Sequence, residues 1–130
     1  MPVKMSLFFD RAVNTSEGSI NVNIAWHEKY PLLAIGAYSE EKGGYVCIYD
    51  DDGEVKDERS IPPHSTAQVT CLSWHPEKKI LIVGWENGEI YLFVDSKSQC
   101  LKVDTLHQSA VTMLKWSTRG SRLISTDKNG

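Results

Sequence analysis

Leu72-Ser73-Trp74-His75-Pro76, then Ile80-Leu81-Ile82-Val83-Gly84-Trp85-Glu86-Asn87-Gly88-Glu89-Ile90-Tyr91-Leu92-Phe93, is the stretch on which the fold turns. Its apolar runs are short, β-branched and aromatic, and turn-forming residues close them, which is the pattern of successive strands. The same pattern occurs twice more. Ile24-Ala25-Trp26-His27 leads to Leu32-Leu33-Ala34-Ile35-Gly36, and Leu114-Lys115-Trp116-Ser117 leads to Leu123-Ile124-Ser125-Thr126. The three tryptophans are spaced 48 and 42 residues apart, and Gly36 and Gly84 each follow their tryptophan by ten positions. In the third copy Thr126 takes that place. A period of this size marks a repeat architecture.

Each of the first two copies continues into a third strand, Gly44–Tyr49 and Gly88–Phe93, and then a polar outer one, Val55–Arg59 and Cys100–Thr105. Asp52-Gly53 and Asn87-Gly88 are hairpin turns, because Asn and Gly tolerate positive φ. About four strands per ~45 residues is one propeller blade. The expected fold is therefore all-β, an incomplete β-propeller of about two and a half four-stranded blades. Residues 19–60 form blade 1, 61–106 blade 2 and 107–130 part of blade 3, while 1–18 hold a closing strand, Ser6–Phe9, and a linker. Gly130 lies where the third strand of copy three is due, so the ring stays open. An open piece with bare strand edges is expected to aggregate or fold poorly.

Composition narrows the function. The 130 residues carry 14 basic and 17 acidic side chains, a net charge of −3, which argues against a nucleic-acid binder. No apolar run approaches the ~18 residues of a membrane span. Leu7-Phe8-Phe9 is too short for a signal peptide, and Asp10 and Arg11 end it. Cys47, Cys71 and Cys100 are odd in number and form no CxxC pair, which points to a reducing compartment such as the cytosol. No nucleophile elbow, zinc-protease motif, phosphate loop or dinucleotide fingerprint occurs, so neither catalysis nor a cofactor is expected.

Trp26, Trp74 and Trp116 end inner strands and are expected to pack between blades, where an aromatic ring buries a large area. His64 and His107 precede inner strands and are expected to tie their loops down by hydrogen bonds. His27 and His75 hold equivalent turn positions. Gly36, Gly84 and Gly88 complete the repeat positions. Trp85 follows Gly84 at the propeller rim beside Glu86, and two readings stand: an interface anchor with Glu86, or packing against the neighbouring blade. Asp50-Asp51-Asp52-Gly53-Glu54 fails as a calcium loop, because the twelfth position is Ile61. Cys71 and His75 lack the second ligand pair that zinc requires.

His64…Val69…Leu72-Ser73-Trp74-His75-Pro76 and His107…Val111…Leu114-Lys115-Trp116-Ser117 resemble the WD40 repeat. They depart from it in part. Pro63 and Leu106 replace the glycine before the histidine, and Tyr49-Asp50 and Phe93-Val94 stand at the Trp-Asp position. Asn87 and Asn129 stand where an aspartate precedes the turn glycine. The stretch from Leu72 to Glu89, with Leu7–Asp10, Ala25–His27 and Leu114–Ser117, is similar to the N-terminal propeller of the 140-kilodalton subunits of intraflagellar transport complex A. The resemblance implies a non-enzymatic scaffold for retrograde ciliary transport. Its partners would be the other complex A subunits and, indirectly, a tubby-like adaptor and dynein-2 trains, with peripheral membrane association. It implies residence in the cilium, including axoneme and basal body, and in the cytoplasm. Related propellers serve vesicle coats and ubiquitin ligases, which are the alternatives.

Overall fold

The computed structural model describes residues 18, 20–57 and 61–130 of the chain. The closing strand expected at Ser6–Phe9 lies outside them. Ten strands follow in order: β1 (Ile20–Trp26), β2 (Leu33–Ser39), β3 (Gly43–Tyr49), β4 (Val55–Asp57), β5 (Val69–Trp74), β6 (Ile80–Trp85), β7 (Ile90–Val94), β8 (Gln99–Val103), β9 (Val111–Trp116) and β10 (Leu123–Asp127). A short 3-10 turn, Asp95–Lys97, joins β7 to β8. The strands form two four-stranded antiparallel meanders, β1-β2-β3-β4 and β5-β6-β7-β8, and a hairpin, β9-β10. This is the partial β-propeller of the sequence reading.

Turn chemistry sets the register. Gly53 and Gly88 adopt φ of 80° and 89°, which a side chain would resist. A feature without a sequence signal recurs in the inner strands. The pairing skips one residue between Asn21 and Asn23, and again between Val69 and Cys71. In the hairpin, Thr126 pairs with Met113 while Asp127 pairs with Val111. Each skip falls four residues before the terminal tryptophan. A bulge there turns the alternation over, which is why these strands read as more apolar than strict alternation allows.

The core lies between the sheets. Ala34, Val46 and Ile48 of the first sheet pack with Val69, Leu81, Val83, Trp85 and Phe93 of the second. Ile82 and Ile90 of the second pack with Val111 and Leu114 of the hairpin. Glycine fixes how closely the sheets approach. A Cβ on Gly36 would lie 2.9 Å from Val69, and one on Gly84 2.9 Å from Val111.

Trp74 is buried, Trp116 is half-buried and Trp26 is 60% exposed. Among the described residues nothing covers Trp26, the tryptophan expected to pack between blades. A propeller tryptophan is buried by the preceding blade, and among the described residues no sheet lies on that side of β1. Ile24, on the same side of the strand as Trp26, is exposed at 66%.

Candidate functional site

The polar side chains singled out by sequence gather at the joints between sheets. The first set lies beside the β1–β2 and β5–β6 turns. His27 Nδ1 accepts the amides of Lys29 (3.0 Å) and Tyr30 (3.2 Å). That occupancy puts the imidazole proton on Nε2, which donates to Lys78 O at 2.8 Å in the next sheet. His75 repeats the arrangement, with Nδ1 accepting from Glu77 and Lys78 at 3.0 Å each and Nε2 donating to Gly120 O at 2.9 Å. The next tryptophan donates back across the joint. Trp74 Nε1 donates to Ala25 O at 3.0 Å, and Trp116 Nε1 to Ser73 O at 3.4 Å. Each histidine also packs against that tryptophan, tilted at 5.3 Å and edge-on at 4.7 Å between ring centroids. Two ion pairs cross the first joint, Lys29–Glu77 at 3.1 Å and Lys56–Asp95 at 2.9 Å.

The second set lies at the opposite ends of the strands, around His64 and His107. His64 Nδ1 accepts the amides of Ala67 (3.0 Å) and Thr66 (3.3 Å), which ties down the loop into β5. Its Nε2 faces Glu89 Oε2 at 3.5 Å. Glu89 in turn accepts from Lys102 Nζ at 2.8 Å and Tyr91 Oη at 3.0 Å. The hydrogen bond from Lys102 holds the Glu89 carboxyl below the usual carboxylate range, against a desolvation that pushes the other way. Lys102 is correspondingly pushed up by Glu89. His107 is held differently. Its Nδ1 lies 2.9 Å from Asp127 Oδ2 and its Nε2 2.8 Å from Ser125 Oγ. Asp127 also accepts the Asn129 amide at 2.9 Å. His107 is the main cause of the lowered Asp127 pKa.

Trp85 settles between its two readings. Its side chain is fully buried, against His64 at 5.6 Å and edge-on to Tyr91 at 5.8 Å. Gly44 of β3 leaves room for it, because a Cβ there would lie 2.9 Å from the indole. Trp85 is therefore packing between blades and not an exposed anchor, since a ring with no accessible surface has nothing to offer a partner. Glu86 beside it is exposed, and its carboxylate accepts the Gln68 amide at 3.3 Å. Asp127 and Ser125 are the functional partners that sequence reasoning missed. The aspartate was sought at Asn129, two residues too late. The signal available was the alignment of Asp127 with Trp85 across copies.

Ser125 Oγ, His107 and Asp127 line up as hydroxyl, imidazole and carboxylate, and this network ties the loop before β9 to β10. Asp50, Asp51 and Asp52 are the one acidic group among the described residues that could hold a metal ion. Asp50 already caps its own turn, accepting the amides of Asp52 and Glu54 at 3.0 Å each. Among the described residues no helix is long and apolar enough to cross a membrane.

Comparison with known proteins agrees with this geometry. The chain is 35% identical over 63 residues to the SIR4-interacting protein SIF2 of Saccharomyces cerevisiae, covering 48% of this chain and 12% of that one. It is 31% identical over 100 residues to meiotic fizzy-related protein 2 of Schizosaccharomyces pombe, covering 68% and 19%. It is 25% identical over 109 residues to WD repeat-containing protein dyf-2 of Caenorhabditis elegans, covering 83% and 8%. The chain thus spans less than a third of the length of the curated relatives it matches. Residues 6–130 match the IFT140 first beta-propeller, and the chain belongs to that family of WD40-type propellers.

Proposed function

We propose that this chain is part of a non-enzymatic scaffold subunit of intraflagellar transport complex A. In this reading it supports retrograde ciliary transport, cilium assembly and entry of membrane cargo into cilia. The observation that carries the proposal is the family match across residues 6–130. The joint chemistry supports it, since His27, His75, Trp74 and Trp116 are spent on holding blades together and not on a substrate. The blades run 19–60, 61–106 and 107–130. Trp26, Trp74, Trp116, His64, His107, Gly36, Gly84 and Gly88 act as repeat positions that keep the faces rigid, and Glu86 is available on an exposed hairpin.

The partners in this reading are the other complex A subunits, with a tubby-like adaptor and dynein-2 trains reached through them. Association with membranes is peripheral. The protein resides in the cilium, at axoneme and basal body, and in the cytoplasm. Affinity purification of the tagged protein from ciliated cells, read by mass spectrometry, tests this. The expected result is recovery of the other complex A subunits. Recovery of vesicle-coat or ubiquitin-ligase subunits in their place would leave the propeller standing and remove the ciliary role.

A further inference from the structure

Lysine and arginine are not spread evenly over the surface. The β5–β6, β7–β8 and β9–β10 turns lie at one end of the sheets. There blades 2 and 3 present Lys78, Lys97, Arg119 and Arg122, all exposed, and Lys79, half-buried over the Tyr30 ring at 4.9 Å. Backbone and side-chain bonds make these turns one continuous patch. The Asp95 amide donates to Lys79 O at 3.0 Å, which joins the two turns of blade 2. His75 Nε2 donates to Gly120 O at 2.9 Å, which joins blade 2 to blade 3.

The joint with blade 1 leaves this patch uncompensated. Among the described residues, Glu77 and Asp95 are the acids of blades 2 and 3 at this end. Lysines of blade 1 take both, Lys29–Glu77 at 3.1 Å and Lys56–Asp95 at 2.9 Å. No ion pair among the described residues engages Lys78, Lys79, Lys97, Arg119 or Arg122. The chain as a whole carries a net charge of −3, so the patch comes from arrangement and not from composition. A local excess of one sign attracts the opposite sign and speeds its encounter. A hollow of about 340 Å³ opens between the β5–β6 and β9–β10 turns. The hydroxyls of Ser73, Ser117 and Thr118 and the ammonium of Lys115 line it, with Glu28 as its one acid. Those donors suit carboxylate oxygens.

The neighbouring turn of blade 1 decides which kind of anion fits. Asp50, Asp51, Asp52 and Glu54 stand in the β3–β4 turn, at the same end of the sheets. A bilayer or a nucleic-acid duplex laid across this end would bring its phosphates against those carboxylates, within the ~8 Å over which like charges repel at physiological salt. A short acidic stretch of polypeptide can lie on blades 2 and 3 and stop before them. None of the exposed large apolar side chains belongs to the β5–β6, β7–β8 or β9–β10 turn, so these turns carry no anchor for a bilayer.

We propose that this end of blades 2 and 3 is an interaction surface for an acidic segment of a partner protein. Its Asp and Glu carboxylates sit on Lys78, Lys79, Lys97, Arg119 and Arg122, and the acidic turn of blade 1 marks where the segment ends. The occupant follows from charge complementarity on one side and from charge repulsion on the other. The inference rests on the blade geometry and is independent of the ciliary role.

A fluorescent decaglutamate peptide added to the full-length protein tests it. Carbodiimide coupling, which joins a carboxylate to a lysine, locates the peptide without any substitution. The expected result is coupling to Lys78 and Lys97 in preference to Lys42 and Lys128, which are exposed at the opposite end of the sheets. Even coupling over all four lysines overturns the proposal. By fluorescence anisotropy, Lys97→Glu with Arg119→Glu should weaken the peptide about tenfold, with the melting temperature unchanged. Lys42→Glu with Lys128→Glu alters the net charge equally and should weaken it no more than about twofold. An equal loss in both pairs would make net charge the cause and overturns the proposal, as does no loss in the first pair. Sedimentation with phosphatidylcholine–phosphatidylserine vesicles covers the other occupant. Vesicle binding lost in Lys97→Glu with Arg119→Glu, while peptide affinity holds, would make a membrane the occupant and overturns it as well.

Discussion

Blades 2 and 3 place different residues at one equivalent position, 11 residues after the inner-strand tryptophan: Trp85 in one, Asp127 in the other. In blade 3 the aspartate pairs with His107, and Ser125 takes the far side of the ring. In blade 2 the indole fills the space, and His64 lies tilted against it while its polar contacts move outward to Asn87 and Glu89. Both solutions hold the loop into the inner strand. One does so with a directional polar network and the other by burying a large apolar area beside an imidazole. The difference shows that the position is constrained to brace the histidine, not to carry a particular chemistry. Trp85 Nε1 is buried with no partner, a polar cost that the packing of the ring outweighs.

The sharpest way to break the comparison is to empty the aromatic node. Trp85→Ala should leave a cavity between the first two sheets and cost about 3–5 kcal/mol, read as a lower midpoint in denaturant. A loss under about 1 kcal/mol would mean that the ring is not part of the core. Gly44→Ala approaches the same node from the other side. The added Cβ would meet the Trp85 ring and the Ala67 carbonyl, and such overpacking costs about 1–3 kcal/mol. The effect should shrink when Trp85 is already alanine, so a double-mutant cycle between the two should show coupling. Trp74→Phe is milder. It keeps most of the buried area and removes the 3.0 Å bond to Ala25 O, a loss of about 1 kcal/mol. Trp116→Phe, with its longer 3.4 Å bond, should cost less by the same melting assay.

Sequence arithmetic reached the blades because it depends on spacing, and spacing survives degenerate repeats. Trp74, Gly36 and Gly84 could be placed from their offsets alone. The joints were out of reach for a physical reason: the acceptors of Trp74, His27 and His75 are backbone carbonyls, which every residue has and no composition reveals. Trp26 stands exposed because burial of a repeat residue belongs to its neighbour, and the residue's own strand carries no sign of that neighbour. Trp85 stayed ambiguous because a tryptophan at a strand exit reads alike whether it faces a partner or the adjacent sheet. Asp127 was missed because the turn glycine was used as the ruler, while the aspartate keeps its register with the strand.

The polar node should separate from the aromatic one in its response to acid. The Asp127 carboxyl is held below the ordinary aspartate value of about 3.9 by its bond to His107. A carboxyl whose pKa is depressed on folding contributes stability above its unfolded value, and that contribution is lost as pH falls through the folded one. Wild-type protein should therefore be more stable than Asp127→Asn near neutrality, and the gap should close as pH drops below about 4. Glu89 is depressed in the same direction by Lys102, but it is present in both proteins and cancels in the difference. The pair is near the surface, so the gap should be the smallest of these effects and should narrow with added salt. Melting curves of the two proteins across pH test this. A gap that persists unchanged into acid would mean that Asp127 acts through its shape and its bond from the Asn129 amide, leaving both nodes as packing devices.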